Sequence, residues 1–156
     1  MQLKQIGIIE SPFEEASGTP IQPPAAKGVR GKVIIREEYS QGLRDLDGFE
    51  RIWLIYYFDR SCQQKLMVKP YLDDIERGVF STRAPCRPNP IGMSCVRLIS
   101  IDKKILEIED VDILDGTPLL DIKPYAPKFD HYEVSRSGWL DNVNMRDNKA
   151  DGRFEK

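Results

Sequence analysis

The chain has one histidine, His131, and three cysteines, Cys62, Cys86 and Cys95, in 156 residues. A lone histidine cannot build a multi-histidine metal site. An odd number of cysteines without a CxxC spacing points to neither a zinc cluster nor a disulfide framework. The cysteines are therefore expected to be reduced and structural, and no metal is expected. No apolar run approaches the roughly 18 to 20 residues that a bilayer-crossing helix needs, so no membrane partner is expected. The opening "MQLKQIGIIESPF" has no cationic segment leading into a continuous apolar stretch with a cleavage site. It reads as a first strand, and the cytoplasm is the expected compartment. There is no GxGxxG after a strand and no alternation of strands with helices, which argues against a dinucleotide-type site on a doubly wound sheet. A net charge of -2, from 23 Lys plus Arg against 25 Asp plus Glu, supplies no global attraction for nucleic acid. Any RNA contact must use a local patch.

What the chain does have is short strands. "LKQIGIIE" alternates loosely and "KVIIR" follows; "RIWLIYYF", Arg51 to Phe58, is a β-branched and aromatic run of the kind buried on both faces of a central strand. "GMSCVRLISI" places Met93, Cys95, Arg97 and Ile99 on one face and Val96 and Leu98 on the other, while "KILEIEDVDIL" and "PLLDIKP" add further strand-like pieces. Helical material is scarce. "SQGLRDLDGF" and "LDDIERG" each suggest at most a short helix. The expected fold is mainly β: a small closed antiparallel β-barrel with one or two short helices and long Pro-rich loops, not a Rossmann fold. The barrel domain is expected over 1–140, followed by a polar, loosely held tail over 141–156.

Proline punctuates the connections. "SGTPIQPPAAKG", Ser17 to Gly28, is an extended loop, because Pro20, Pro23 and Pro24 lack amide donors and restrict their predecessors. In "FSTRAPCRPNPIG", Pro85, Pro88 and Pro90 fix three φ angles, so Arg83 and Arg87 are held in a stiff cationic loop. Their guanidinium groups can meet a carboxylate or phosphate, or merely local acids. In "LDGTPLLDIKPYAP", Asp115 and Gly116 signal a turn, and Asp121, Lys123 and Tyr125 project to one side of an extended chain. In "FDRS", Asp59 and Arg60 come directly off the expected central strand. The segment "KGVRGKVIIR" gathers Lys27, Arg30, Lys32 and Arg36 with no acid among them. It reads equally as an RNA-facing patch and as a charge-protected edge strand.

Taken together, "GVFSTRAPCRPNPIGMS" and "DGTPLLDIKPY" resemble the TsaA-like family, whose best-characterised members are the TrmO tRNA methyltransferases, and the likeness extends over about residues 3–136. The resemblance implies a β-barrel homodimer that binds S-adenosyl-L-methionine and methylates N6 of threonylcarbamoyladenosine beside the anticodon of tRNA. It implies cofactor contacts at Ile21, Gln22 and Pro23, Asp59 and Arg60, Arg83, Met93, and the turn of Leu114, Asp115, Gly116 and Thr117. Within the same motifs, Asp121 and Tyr125 are candidates to accept or relay the acceptor proton. Arg87 and Lys123 are candidates to orient the RNA, as are Lys32 and Arg36 on the basic strand. Two other readings share these features: a cofactor-binding module without transfer, and an RNA-binding barrel without cofactor. The second would need exposed aromatic platforms, whereas the aromatic residues concentrate in "WLIYYF".

Overall fold

A computed structural model describes residues 2–143 and 149–155 of the chain. Among the described residues eight strands are formed: β1 (Gly7–Glu10), β2 (Arg30–Ile35), β3 (Arg51–Tyr57), β4 (Met67–Val68), β5 (Arg77–Gly78), β6 (Ile91–Asp102), β7 (Ile105–Glu109) and β8 (Thr117–Pro124). Six of them close into the expected antiparallel barrel in the order β1-β2-β7-β6-β3-β8, while β4 and β5 pair separately. Helix is limited, among the described residues, to one four-residue turn at Pro127–Asp130 and short 3-10 pieces.

Alternation builds the barrel interior. In β3 the buried residues are Ile52, Leu54 and Tyr56, and in β6 they include Val96 and Leu98. With Ile9, Val33, Ile35, Leu106, Ile108, Val111 and Leu119 they form one apolar cluster, from which water is excluded at roughly 25 cal/mol per Å² of apolar area. The expectation that β3 is buried on both faces needs correction. Its other face is only half covered, in part by an edge-on contact of Trp53 with Tyr125 at 5.9 Å. Strand β3 is nevertheless flanked on both sides, by β6 and β8. The first strand is shorter than its apolar pattern suggests, with ladder pairing confined to Gly7–Glu10. "LDDIERG" forms no helix: the Asp73 carboxylate accepts from the Ile75 amide and holds Arg77 at 2.7 Å. The segment then enters β5, where Arg77 pairs with Val68.

Gly92, opposite Tyr56 on β3, lets aromatic rings lie against the β6 backbone. A Cβ at position 92 would come within 2.7 Å of both the Tyr56 Cζ and the Phe58 ring.

A second, smaller core lies beside the barrel and contains Val68, Val79, Ala84, Cys86 and Phe154, with Cys62 and Tyr71 packed against it. Two expectations fail here. Cys62 and Cys86 are not reduced but joined in a disulfide, with their Cα atoms 5.4 Å apart and a separation of 24 in sequence. No short spacing announced the pair, because it arises where the segment after β3 lies along the proline-stiffened loop: the Lys65 amide donates to the Cys86 carbonyl at 3.1 Å. The chain end is not loosely held throughout either. Phe154 is buried and stacks edge-on with Tyr71 at 4.9 Å, and Lys149 and Glu155 bridge to Pro20 and Ser61. The aromatic side chain and these backbone bridges together anchor a polar stretch. Residues 144–148 of that stretch lie outside the described residues.

The disulfide closes a loop of 24 residues, which in the chain-entropy account stabilises a fold by about 3 kcal/mol. Reduction, or Cys62→Ser with Cys86→Ser, should lower the thermal midpoint in a calorimetric scan while leaving the far-ultraviolet dichroism of the barrel intact.

Candidate functional site

The proline-rich loop, the DGT turn, the FDRS segment and the first long loop converge at one end of the barrel around a cavity of about 390 Å³. This lies within the roughly 300–1,000 Å³ range of small-ligand sites. Among the expected cofactor residues, Ile21, Gln22, Asp59, Arg60, Arg83, Leu114 and Thr117 line it. Pro23 lines a neighbouring groove instead. Met93 lines neither space: it stands exposed on the outer face of β6, opposite Ile55, so its strand position gives neither a core nor a cavity role to its side chain.

The turn is fixed by hydrogen bonds to distant segments. Gly116 adopts φ 75°, a conformation that suits glycine, and its amide donates to the Ile9 carbonyl at 2.8 Å. The Asp115 amide donates to Phe13 at 2.7 Å, and its Oδ1 accepts from the Ser11 amide at 3.0 Å. Arg60 braces the same turn, its Nη2 donating to the Asp115 carbonyl at 2.7 Å and to Thr117 Oγ1 at 3.2 Å, while its Nε lies 3.4 Å from Asp59. Arg83 donates to Gln22 Oε1 at 2.5 Å. Asp115 and Gly116 thus shape the site through the turn rather than by lining it.

Beyond this cavity lies a groove of about 1420 Å³ that shares Ile21, Gln22, Tyr71, Arg83 and Phe154 with it. Trp53, Tyr125, Phe80 and Trp139 line the groove, together with Lys27, Arg51 and Arg97. Apart from Tyr125, aromatic side chains outside the barrel interior were not expected from the sequence. Phe80 is largely exposed, and Trp139 is oriented by its indole donating to the Ser81 carbonyl at 2.8 Å. Two of the groove's arginines are engaged by acids, Arg51 with Asp110 at 2.7 Å and Arg97 with Glu109 at 3.5 Å. Burial opposes ionisation of Asp110, but the Gly28 amide and the Arg51 guanidinium outweigh it and hold the carboxyl below its usual range.

The expected polar residues are dispersed. Tyr125 reaches the groove, but Asp121 and Lys123 line neither space and pair with each other at 3.0 Å on the barrel surface. Arg87 points into its own loop, where Nη1 donates to the carbonyls of Val79 at 3.1 Å and Thr82 at 2.8 Å. Lys32 meets Glu107 of β7 at 3.2 Å, and Arg36 donates to Gln5 at 3.3 Å. The basic segment has no acid in its own sequence, yet its sheet neighbour supplies them.

The residue that sequence reasoning missed is Asp112. It lines the cavity, just beyond β7, and its Oδ1 is shielded from solvent without a hydrogen-bond partner in the protein. Burial pushes its carboxyl up to about 7, against the opposing effects of a Ser94 hydrogen bond and the Arg83 charge. Behind it, the Tyr56 hydroxyl lies 3.1 Å from Ser94 Oγ; burial, reinforced by the Asp112 charge, raises the Tyr56 phenol above its usual range. The available signal was an acid between two apolar residues in "DVDIL", outside every motif considered.

A closed antiparallel barrel with a loop-built small-ligand cavity opening onto an aromatic groove defines a class of non-Rossmann ligand-binding barrels. The family described as tRNA-methyltransferase O N-terminal domain matches residues 8–131, and the chain belongs to it. A probable S-adenosyl-L-methionine-binding protein of Pyrococcus abyssi is 54% identical over 153 residues, covering 97% of this chain and 83% of that relative. The tRNA (adenine(37)-N6)-methyltransferase of Escherichia coli is 38% identical over 136 residues, which is 81% of this chain but 58% of the enzyme. The crystal structure of TrmO from Pseudomonas aeruginosa superposes with a TM-score of 0.78 at 35% identity, covering 92% of this chain and 64% of that one. The chain therefore spans less than two thirds of these two longer relatives.

A carboxyl whose folded value is raised binds more protons in the native than in the unfolded state between the two values. Asp112 should thus reduce stability as pH rises from about 4, the ordinary carboxylate value, through about 7. Denaturant midpoints of the ligand-free protein should decline over that window, and D112N should flatten the decline.

Proposed function

We propose that the chain is an S-adenosylmethionine-dependent tRNA methyltransferase acting on N6 of adenine 37, with threonylcarbamoyladenosine as the acceptor. The observation that carries this reading is the pair of adjoining spaces. A compact cavity suited to a cofactor shares the wall of Gln22 and Arg83 with an open aromatic groove suited to a nucleotide. The donor set fits the cofactor: Phe58 and Leu114 offer apolar contact for adenine, while Arg83 and Asp112 bring opposite charges for an amino-acid end.

S-adenosylmethionine, when bound, supplies an electrophilic methyl group on sulfonium sulfur. The protein's principal task is alignment, because positioning converts a bimolecular displacement into an effectively unimolecular one. The stapled DGT turn and the Arg83–Gln22 pair would hold the geometry. Phe80, Trp139 and Tyr125 would stack RNA bases, an interaction worth about 1–3 kcal/mol per base. Tyr125 is the residue we place beside the acceptor as proton relay, since it faces the groove. Asp121 is assigned to its surface pair with Lys123. A cytoplasmic homodimer belongs to the same reading.

A second reading, cofactor binding without transfer, draws on the Pyrococcus relative, whose name specifies binding only and whose length this chain nearly spans. Mass spectrometry of nucleosides from tRNA carrying threonylcarbamoyladenosine separates the two, after incubation with protein and cofactor. The expected product gains one methyl group per modified adenosine; saturable cofactor binding with no methylated product would favour the second reading. Arg83→Ala should weaken cofactor binding about tenfold, as expected for loss of one charge-assisted contact, in a calorimetric titration.

A further inference from the structure

We infer that Asp112 is the acceptor for the ammonium group at the amino-acid end of the cofactor. This rests on the S-adenosylmethionine reading above and goes beyond it by giving a recognition role to a residue outside the family motifs recognised in the sequence. The cavity's other acids lie in different surroundings. Asp59 is beside Arg60, Glu155 accepts from the Ala16 amide at 2.9 Å, and Glu14 and Glu15 are exposed to water. Asp112 alone among the described residues has a shielded side-chain oxygen without a partner.

Such an oxygen is costly to leave unsatisfied and calls for a donor. Three parts of the cofactor can be weighed as its complement. A sulfonium carries no hydrogen to donate. The adenine amine donates but is neutral, so it does little to favour the ionised carboxylate. An ammonium group both donates and brings the charge that favours ionisation. Arg83, which also lines the cavity, provides the opposite sign for the carboxylate of the same amino-acid end. Ser94, whose hydroxyl lies 3.1 Å from that of Tyr56 in the barrel interior, also acts on Asp112, so the acid has a strand residue beside it as well as its own connection between β7 and β8.

The test compares S-adenosylmethionine, S-adenosylhomocysteine and methylthioadenosine, which lacks the amino-acid end, by calorimetric titration of wild type and Asp112→Asn. The expected loss in D112N is about tenfold to a hundredfold for the first two ligands alike, and little for methylthioadenosine. Equal loss for all three would place the acid at the adenine instead. Loss confined to S-adenosylmethionine would place it at the sulfonium, and no loss for any ligand would remove it from recognition; each of these overturns the assignment. Wild type should also release a proton near pH 7 on binding S-adenosylmethionine but not methylthioadenosine, read from the buffer dependence of the heat. That measurement decides the matter without a variant should D112N fail to fold, and equal release with both ligands, or none with either, overturns the assignment. Wild type that binds none of the three overturns the cofactor reading itself, a result distinct from binding that D112N leaves unchanged.

Discussion

Closure of the sheet through the four residues of β1 is the constraint on which the rest of the molecule depends. Gly7 pairs with Ile35 on one side and Leu119 on the other, so a single short strand joins the two halves of the barrel. A Cβ on Gly7 would collide with the Ile34 carbonyl, and one on Gly31 would lie 2.6 Å from the Glu10 carbonyl; close backbone approach at this seam needs residues without side chains. Once the seam is closed, no edge strand is left in the barrel to be protected. The DGT turn, immediately before β8, is brought over Ile9 and Phe13 at the mouth of the barrel. The cavity wall is a consequence of closure.

The opposite wall has a separate support. Arg83 sits on a loop that contributes no barrel strand, and its position is set by the second core, in which Ala84 and Cys86 pack with Val79, Val68 and Phe154. Proline stiffness alone would limit that loop's conformations without choosing its location. Location comes from the Cys62 cross-link, from Phe154, and from Arg87, whose guanidinium ties the carbonyls of Val79 and Thr82 together. An arginine that looks in sequence like a ligand for phosphate is here part of the scaffold that presents its neighbour four residues earlier.

The barrel was legible because β-branched and aromatic runs mark β2 and β3, because apolar alternation survives in β6 and β7, and because the two long motifs are specific. Their convergence with FDRS and the first long loop was legible only through the family resemblance, since no local pattern states which loops share a barrel end. What was illegible depends on three dimensions. Asp112 follows β7 between Val111 and Ile113, which fill the core; by alternation an acid there would meet water, whereas the folded chain puts it on the lining of the cavity. The disulfide joins segments with no shared motif. The acids that meet Arg30 and Lys32 belong to β7, so the apparent basic patch dissolved once strand pairing was known.

These pairings bear on how a polyanion could be held. With Arg51 and Arg97 already paired to acids and Lys32 paired to Glu107, few of the cations considered are available to neutralise phosphate. Counterion release scales with the number of phosphates neutralised, so on the proposed reading it can supply only a modest share of affinity from one chain. The groove's aromatic faces do not depend on salt, and they stack on any exposed base. A base presented out of its helix, as in an anticodon loop, suits that surface better than a duplex backbone does. The paired acids would then disfavour nonspecific polyanion binding and leave selection to the unstacked base.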